Sequence, residues 1–171
     1  YLNTDFQFIV KAGTPPVESL EEFEGKTIAV NKGSAYDRWA RGLEEEIGWT
    51  VESYGTNLDA IQAVLSGRAF ANVAGNTNAA WAVKNNPQLE LSYLHSTGRV
   101  FAMPLRLDSE ELRVTLENAI ECMKMDGTIA ELHEKWFGYA PAPDSAAMTV
   151  YEGTGVPGIE NYDPTPREPE C

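Results

Sequence analysis

The fold is decided by one stretch of the sequence, Thr27-Ile28-Ala29-Val30-Asn31-Lys32-Gly33-Ser34-Ala35-Tyr36. Its first four residues form an uninterrupted apolar or β-branched run, which predicts a buried strand. Gly33 follows as a turn residue, and Ser34 carries the type of side chain that caps helix N-termini. A helix is expected next, with an apolar face formed by Ala35, Trp39 and Leu43. The stretch therefore predicts a strand, a turn and a helix in succession.

The same alternation extends in both directions along the chain. Further strands are predicted at residues 6–11, 50–54, 69–74, 89–94 and 100–105. Asn57 is expected to cap a helix that ends at Gly67, and Asn76 a helix that runs through Trp81. Strands that alternate with helices indicate parallel βαβ units with right-handed crossovers. The predicted fold class is α/β, an open and mostly parallel sheet with helices on both faces.

A different pattern begins after residue 105. Asp108 opens a long helix, whose apolar stripe consists of Leu112, Leu116, Ile120 and Met123. Asp126-Gly127-Thr128 interrupts it, and a second helix runs to Trp136. Residues 139–171 are irregular and rich in proline and glycine, a composition also found in disordered linkers. Because this tail carries apolar residues as well, we predict an ordered, extended segment strapped over the body.

The composition excludes several classes of function. The chain has 26 acidic residues against 13 basic ones, a formal net charge of −13. Nucleic-acid binding requires clustered basic side chains that neutralise phosphates, so neither nucleic acid nor an anionic membrane is expected as a partner. No signal-peptide pattern and no run of about 18 apolar residues are present. The chain starts at Tyr1 rather than at a methionine, so we expect it to begin inside a larger protein.

Residues suited to catalysis or to metal binding are sparse. His95 and His133 are the only histidines, and they do not have the spacing of metal ligands. The glutamate runs at residues 21–22 and 44–46 are typical of solvated helix faces, and no glycine-rich phosphate loop is present. The sequence therefore predicts no catalytic residue, no metal site and no cofactor.

Cys122 and Cys171 are the only cysteines. One interpretation is a buried thiol at Cys122 and an incidental thiol at Cys171. The other is a disulfide that pins the tail, which requires an oxidising compartment. We predict the disulfide, because a free Cys171 would be an exposed reactive thiol.

The turn at Gly33 and Ser34 is the one feature of the sequence that is typical of a binding site. Free backbone N–H groups and the positive end of the helix dipole make such a turn an anion site. It also follows the carboxyl end of a strand, where open α/β sheets bind ligands. A simpler interpretation, in which Ser34 only caps the helix, stays open at this point.

Five segments carry a resemblance to a known family: residues 19–30, Lys32-Gly33-Ser34, residues 60–68, Asp126-Gly127-Thr128 and Lys135-Trp136-Phe137-Gly138. They resemble the periplasmic solute-binding proteins of family 3, which serve polar amino acid ABC importers. The resemblance covers about residues 6 to 138 and is most specific at the Lys-Trp-Phe-Gly ending. It matches the second lobe of such a protein and its C-terminal segment.

The resemblance implies a clamp of type II architecture, whose two lobes close on the solute by hinge motion. Residues 1–13 would form one hinge strand, 14–98 lobe two, 99–138 the second hinge strand with helices of lobe one, and 139–171 the tail. The implied protein is a non-enzymatic receptor in the periplasm, secreted across the inner membrane. It delivers a small polar solute to the membrane subunits of an ABC importer. Because the front of lobe one would be absent, we expect this truncated chain to self-associate or to be only partly ordered on its own.

The resemblance also implies which residues bind the ligand. Family members hold the ligand's α-carboxylate with backbone N–H groups at the glycine-serine turn, which corresponds to Gly33, Ser34, Ala35 and Tyr36. Two aspartates that are usual in the family are replaced here by Phe70 and Gly75, and the second normally pairs with the ligand's ammonium group. Losing such a partner costs about 1.5–3 kcal/mol. With Gly75 and Asn76 lining the opposite side without a charge, we expect an anionic solute rather than an ordinary α-amino acid.

The same resemblance leaves two alternatives. A dehydratase-type enzyme on this fold requires a proton donor in the cleft. Lobe two offers no carboxylate there, only the hydroxyl and amide groups of Ser34, Tyr36, Asn76 and Thr77. The ligand-sensing lobe of a membrane receptor requires a membrane-spanning helix after Gly138, and the sequence there contains no such apolar run.

Overall fold

The computed structural model describes residues 1–171 and divides them into two compact units. The first, here called the sheet unit, is Thr4–Arg99. The second, the helical unit, combines Tyr1–Asn3 with Val100–Cys171. No helix in either unit has both the length and the hydropathy needed to cross a membrane.

The chain forms seven strands and six helices. The strands are β1 (Leu2–Asn3), β2 (Phe6–Lys11), β3 (Thr27–Asn31), β4 (Thr50–Tyr54), β5 (Ala71–Gly75), β6 (Leu89–His95) and β7 (Val100–Phe101). The helices are α1 (Ala35–Gly42), α2 (Glu44–Ile47), α3 (Asn57–Ser66), α4 (Asn76–Lys84), α5 (Glu110–Met125) and α6 (Thr128–Phe137). A single 3-10 turn is formed by Glu21–Phe23.

The sheet unit contains five strands in the order β4-β3-β5-β2-β6. Strand β3 pairs in parallel with β4 and β5, whereas β2 pairs antiparallel with both β5 and β6. Four strands therefore run in one direction, and β2 alone opposes them. This arrangement confirms the predicted α/β class with its open, mostly parallel sheet.

Apolar side chains cover both faces of this sheet. Successive residues of a strand point to opposite faces, and along β2 Phe8 belongs to one buried cluster while Ile9 belongs to the other. The first cluster is completed by α1 and by aromatic residues such as Phe23 and Trp49. The second is completed by α3, through residues such as Val64. Each fully buried side chain of this size stabilises the fold by about 1.5–3 kcal/mol.

Two predicted helix caps are displaced by one residue. The helix after β4 is capped by Thr56, whose hydroxyl accepts the N–H of Asp59 at 3.1 Å, and not by Asn57. The Asn57 side chain instead accepts a hydrogen bond from Asn72 at 3.3 Å. Similarly, Gly75 rather than Asn76 is the cap residue of α4, and that helix continues to Lys84 instead of ending near Trp81.

The helical unit is built around α5. Its small sheet pairs β1 with β7, so the strand predicted at residues 100–105 is limited to Val100–Phe101. The predicted helix break holds, because Gly127 has a left-handed backbone (φ 87°) between α5 and α6. No residue of α6 is buried, and α5 buries only Glu121 and Lys124.

The tail lies along α5 and is hydrogen-bonded to it. Lys124 donates to the carbonyl of Thr149 at 2.6 Å. Farther along, Asn118 and Glu170 exchange two hydrogen bonds of 2.7 and 3.0 Å. The predicted disulfide between Cys122 and Cys171 is present. The tail is therefore an ordered segment of the helical unit.

The chain passes from one unit to the other between Asn3 and Thr4 and between Arg99 and Val100. Phe6–Lys11, which lies within the first predicted hinge segment, is an inner strand of the sheet and is paired on both sides. Phe8 and Ile9 are completely buried in this strand. The hinge positions and lobe boundaries stay predictions.

Candidate functional site

The candidate site lies in the sheet unit, where β3 ends and α1 begins. Gly33 has a left-handed backbone (φ 74°), which a glycine adopts without strain and which redirects the chain from strand to helix. Ser34 then caps α1, because its hydroxyl accepts the N–H of Asp37 at 3.1 Å. Ser34 therefore caps the helix, as the simpler interpretation expected. This hydrogen bond does not account for the other N–H groups of the turn.

Two N–H groups of this turn are open to a ligand. Helix geometry leaves the N–H groups of Ala35 and Tyr36, in the first turn of α1, without intrahelical acceptors. The Arg38 side chain donates to the Gly33 carbonyl at 2.9 Å, which holds a permanent positive charge beside the same turn. The helix dipole adds to this positive potential.

A third N–H group of the turn, that of Gly33, is bound by the side chain of Asp37. The sequence did not predict this role of Asp37. Its carboxylate accepts the Gly33 N–H at 2.7 Å and also accepts bonds from Arg41 at 2.9 Å and Ser53 at 2.8 Å. The Gly33 hydrogen bond, with help from Ser53 and Arg41, lowers the pKa of Asp37. Asp37 is therefore an ionised internal partner of the turn. An aspartate in the first turn of a helix was the only signal for this role.

Gly75 meets Tyr36 across the sheet edge. The Gly75 backbone (φ −64°, ψ 140°) is one that any residue can adopt, so its conformation does not require glycine. A Cβ atom at this position would lie 2.5 Å from the Tyr36 hydroxyl oxygen. Burial of the ring raises the pKa of Tyr36, and the nearby Gly75 backbone N–H offsets part of this effect. Glycine is thus explained by the close approach of a phenol.

Aromatic rings hold Tyr36 in this position. The Phe6 ring packs edge-on against Tyr36 with centroids 5.1 Å apart, and against Trp39 at 5.0 Å. His95 lies against Trp39, with centroids 4.8 Å apart. Phe6 is paired with Gly75 on one side of β2 and with His95 on the other. Aromatic rings therefore pack against one another at this edge of the sheet, which the sequence pattern did not predict.

The predicted site residues meet only in part. Tyr36 and Gly75 are in contact, and the Asn76 N–H donates to the carbonyl of Asp5 at 3.0 Å. Gly33, Ser34 and Ala35 follow β3, the neighbour of β5, so all six predicted residues share one edge of the sheet. Phe70 does not belong to this edge. It packs against Phe23 at 6.0 Å, near the opposite end of β5.

Curated proteins of similar sequence are binding proteins of amino-acid transporters. A putative amino-acid ABC transporter-binding protein, PatH of Vibrio harveyi, is 25% identical over 141 residues, which is 81% of this chain and 56% of that protein. The L-cystine-binding protein TcyJ of Escherichia coli K12 is 29% identical over 144 residues, 81% of this chain and 52% of that protein. The chain is a homologue of these binding proteins.

Solved structures agree with this relationship. An ancestral arginine-binding protein bound to arginine is 31% identical, with a TM-score of 0.61 over 81% of this chain and 62% of that protein. The resemblance to amino-acid ABC transporter binding proteins, which the sequence motifs indicated, is thereby confirmed. No known family profile matches the chain.

Two further facts concern how much of each relative the chain covers and what kind of protein the relatives are. The chain spans about half the length of the curated relatives it matches, 56% of one and 52% of the other. The relatives are mostly binding proteins rather than enzymes, although a membrane-bound lytic murein transglycosylase of Pectobacterium atrosepticum is 22% identical over 88% of this chain.

Proposed function

We propose that the chain is part of an extracytoplasmic receptor that binds a small anionic solute and delivers it to an ABC importer. The proposed binding residues are Gly33, Ser34, Ala35, Tyr36, Gly75 and Asn76. The observation that carries the proposal is the first turn of α1, where two N–H groups and the charge of Arg38 face the edge of the sheet. Ligands of open α/β sheets bind at such an edge, beside the carboxyl ends of the strands.

The charges at this edge favour an anion that carries no ammonium group. The side chain of Asp37 is about 10% exposed and is already paired with Arg41. Asp5 is also buried, and it accepts the N–H of Thr97 at 2.9 Å. Asp37 is therefore not available as the counter-charge of a ligand ammonium, and one oxygen of Asp5 is occupied by Thr97, which supports a solute whose recognised group is a carboxylate or a similar anion.

The importer, the compartment and the hinge belong to the same proposal. The importer's membrane subunits would be the protein partner, as the names of the transporter-binding relatives suggest. A disulfide persists in oxidising surroundings, which supports a periplasmic location. The hinge strands predicted within residues 1–13 and 99–138 would link the two lobes, and closure would occur by rotation about them.

A receptor role, rather than catalysis, is supported by the state of the polar groups at the edge. General acid or base catalysis requires a group that can exchange a proton with the substrate. The carboxylate of Asp37 is held by Gly33, the carboxylate of Asp5 accepts the N–H of Thr97, and burial raises the pKa of the Tyr36 phenol, which makes it a weaker general acid. Binding needs none of these groups to change its protonation state.

Removing one N–H group tests this proposal directly. Ala35→Pro deletes the donor at the first helical position, where proline is compatible with the helix. Ser34 is extended (ψ 171°), the conformation favoured before a proline, so the turn should survive. In the full-length protein, the affinity for carboxylate solutes should fall about tenfold or more in titration calorimetry, because a hydrogen bond to a charged group is lost.

The matched control is Ala35→Ser, which changes the side chain and keeps the N–H. It should bind carboxylates like the wild type, and both variants should keep the thermal melt of the wild type. Equal affinities of the proline variant and the serine variant would overturn the proposal. So would a wild-type preference for the uncharged amides over the corresponding carboxylates.

A further inference from the structure

The strand register determines the direction in which the Gly75 N–H points. Asn76 donates its N–H to Asp5 on the β2 side. Successive N–H groups of a strand point to opposite sides, so the Gly75 N–H points away from β2 and toward β3. There the pairing of β5 with β3 involves only Ala71 and Asn72. The Gly75 N–H is thus free of the ladder, and the Tyr36 hydroxyl approaches Gly75 closely.

This contact uses an acceptor position of the phenol and leaves its hydrogen. A tyrosine hydroxyl has one hydrogen to donate and two lone pairs. Since the Gly75 N–H can only donate, the O–H hydrogen of Tyr36 is available to an acceptor outside the pair. The edge therefore presents a neutral donor next to the N–H groups of Ala35 and Tyr36.

We propose that Tyr36 determines the class of ligand by donating its hydroxyl hydrogen to an oxygen on the carbon next to the ligand's carboxylate. The site then takes 2-oxo and 2-hydroxy acids in preference to 2-amino acids. This inference rests on the proposed function, because the carboxylate itself is held by the first turn of α1. It adds a specificity-determining side chain and the chemical class of the solute.

An ammonium group suits this position poorly. It could donate only to a lone pair of a neutral phenol, whereas its charge is stabilised best by an ionised acceptor. The phenol of Tyr36 is neutral, since burial raises its pKa. A ketone or hydroxyl oxygen, in contrast, accepts the O–H hydrogen without leaving a charge unpaired.

Glycine at position 75 is what allows the hydroxyl to lie there. A Cβ atom would come within 2.5 Å of the hydroxyl oxygen, and the Tyr36 ring has little freedom to retreat because Phe6 packs edge-on against it at 5.1 Å. Any larger residue at position 75 must displace the hydroxyl from the Gly75 N–H. Gly75 and Tyr36 therefore act together in placing the donor.

The experiment compares matched acids on the full-length protein by titration calorimetry. Three series cover small, acidic and aromatic side chains: pyruvate, lactate, alanine and propionate; 2-oxoglutarate, 2-hydroxyglutarate, glutamate and glutarate; phenylpyruvate, phenyllactate, phenylalanine and 3-phenylpropionate. In the series that binds, the 2-oxo or 2-hydroxy acid should bind at least about tenfold more tightly than the amino acid. The oxygen of the first gains a hydrogen bond, whereas the ammonium group of the second is left with an unpaired charge.

Tyr36→Phe removes only the hydroxyl and keeps the ring against Phe6. It should weaken binding of the 2-oxo and 2-hydroxy acids about tenfold and leave the acid without a 2-substituent within about twofold. Gly75→Ala, which keeps Tyr36 but displaces its hydroxyl, should produce the same selective loss. Tyr54→Phe is the matched control, because the Tyr54 hydroxyl bonds to Glu52 instead, and it should bind all acids like the wild type.

The outcomes separate this inference from the proposed function. Tightest binding of a 2-amino acid, or an equal loss for every acid in Tyr36→Phe, would overturn the inference while carboxylate binding still stands. Absence of binding by every acid of the three series would overturn the proposed function and the inference with it. Circular dichroism of each variant excludes unfolding as the cause of a loss.

Discussion

The two units of the chain bury their apolar residues to very different extents. In the sheet unit, Phe8, Ile28 and Val64 are fully buried within clusters on the two faces of the sheet. In the helical unit the buried apolar residues are small, namely Pro141, Ala146 and Ala147, while Leu107 is fully exposed and Leu112 is half exposed. Hydrophobic burial is the main stabilising contribution to folding. The sheet unit therefore has a closed core of its own, and the helical unit depends on its disulfide and its polar tail contacts.

The largest effect that separates the units should come from the core of the sheet. Phe8→Ala should lower the free energy of unfolding of the sheet unit by about 3–5 kcal/mol, because it removes a buried ring and leaves a cavity. The ring stacks on Phe23 at a centroid distance of 4.4 Å. Urea denaturation followed by tryptophan fluorescence measures the change, since Trp49 is buried beside the ring.

The control for Phe8→Ala is Leu107→Ala in the helical unit, where the side chain is fully exposed. It should change the same transition by less than about 0.5 kcal/mol. Similar effects of the two substitutions would contradict the difference in burial between the units.

Loss of the disulfide should act on the helical unit alone. Cys122 and Cys171 are 49 residues apart, and opening a loop of this size costs about 2–4 kcal/mol. Cys171→Ser should therefore increase hydrogen exchange in α5 and the tail and leave the sheet unit unchanged. Hydrogen-exchange mass spectrometry measures both units in one experiment. Two free thiols in the intact mass of the unreduced wild type would refute the bond itself.

Self-association should depend on the helical unit. Its exposed apolar residues include Leu105, Leu107 and Leu112, and contiguous patches of this kind are rare on monomers. Leu112→Lys should weaken association of the 171-residue chain about tenfold in light scattering, since it removes about 1–2 kcal/mol of apolar burial. The equivalent change at the exposed Leu58 of the sheet unit should have little effect. A wild-type chain that stays monomeric at all concentrations would exclude association.

The smallest effect concerns Asp37 and is visible as a pH dependence. Its folded-state pKa is lowered below the ordinary value of 3.8, chiefly by the Gly33 N–H. Its stabilising contribution is therefore fully present above pH 3.8 and is lost as the pH falls through the lowered pKa. Asp37→Asn should destabilise the sheet unit by roughly 1 kcal/mol at neutral pH. The gap to the wild type should close in acid, and a gap that is constant from neutral pH to pH 2 would contradict this assignment.

Periodicity predicted the parts of the fold that depend on burial. The strands Phe6–Lys11 and Thr50–Tyr54 were predicted with their observed bounds, because their apolar runs end at polar or glycine residues. The strand at residues 100–105 was predicted too long. Beyond Phe101 its residues have no strand beside them, and pairing depends on neighbours that a linear pattern does not contain.

The sequence predicted the position of the turn in the candidate site, but it did not predict the contacts of the side chains there. The strand-turn-helix pattern placed the turn at Gly33 and Ser34 correctly, since local geometry determines it. Gly75 was interpreted only as a missing charge. Its meeting with Tyr36 joins two neighbouring strands, and that proximity arises from sheet order rather than from spacing along the chain. A glycine at a strand end was the available sign that another group approaches closely.

The position of β2 in the sheet has a consequence for the order of folding. Val10 pairs with Ala71, and Phe6 pairs with both Gly75 and His95, so this early strand completes a sheet whose other members are synthesised much later. Closing such long loops is slow, on the order of milliseconds to seconds, compared with the pairing of β3 and β4. A refolding chain should therefore acquire its first strand-helix-strand unit before it acquires Phe6 beneath Tyr36. On the proposed function, competence of the full-length protein to bind a solute would mark the last step of sheet assembly, and ligand uptake during its refolding would time that step.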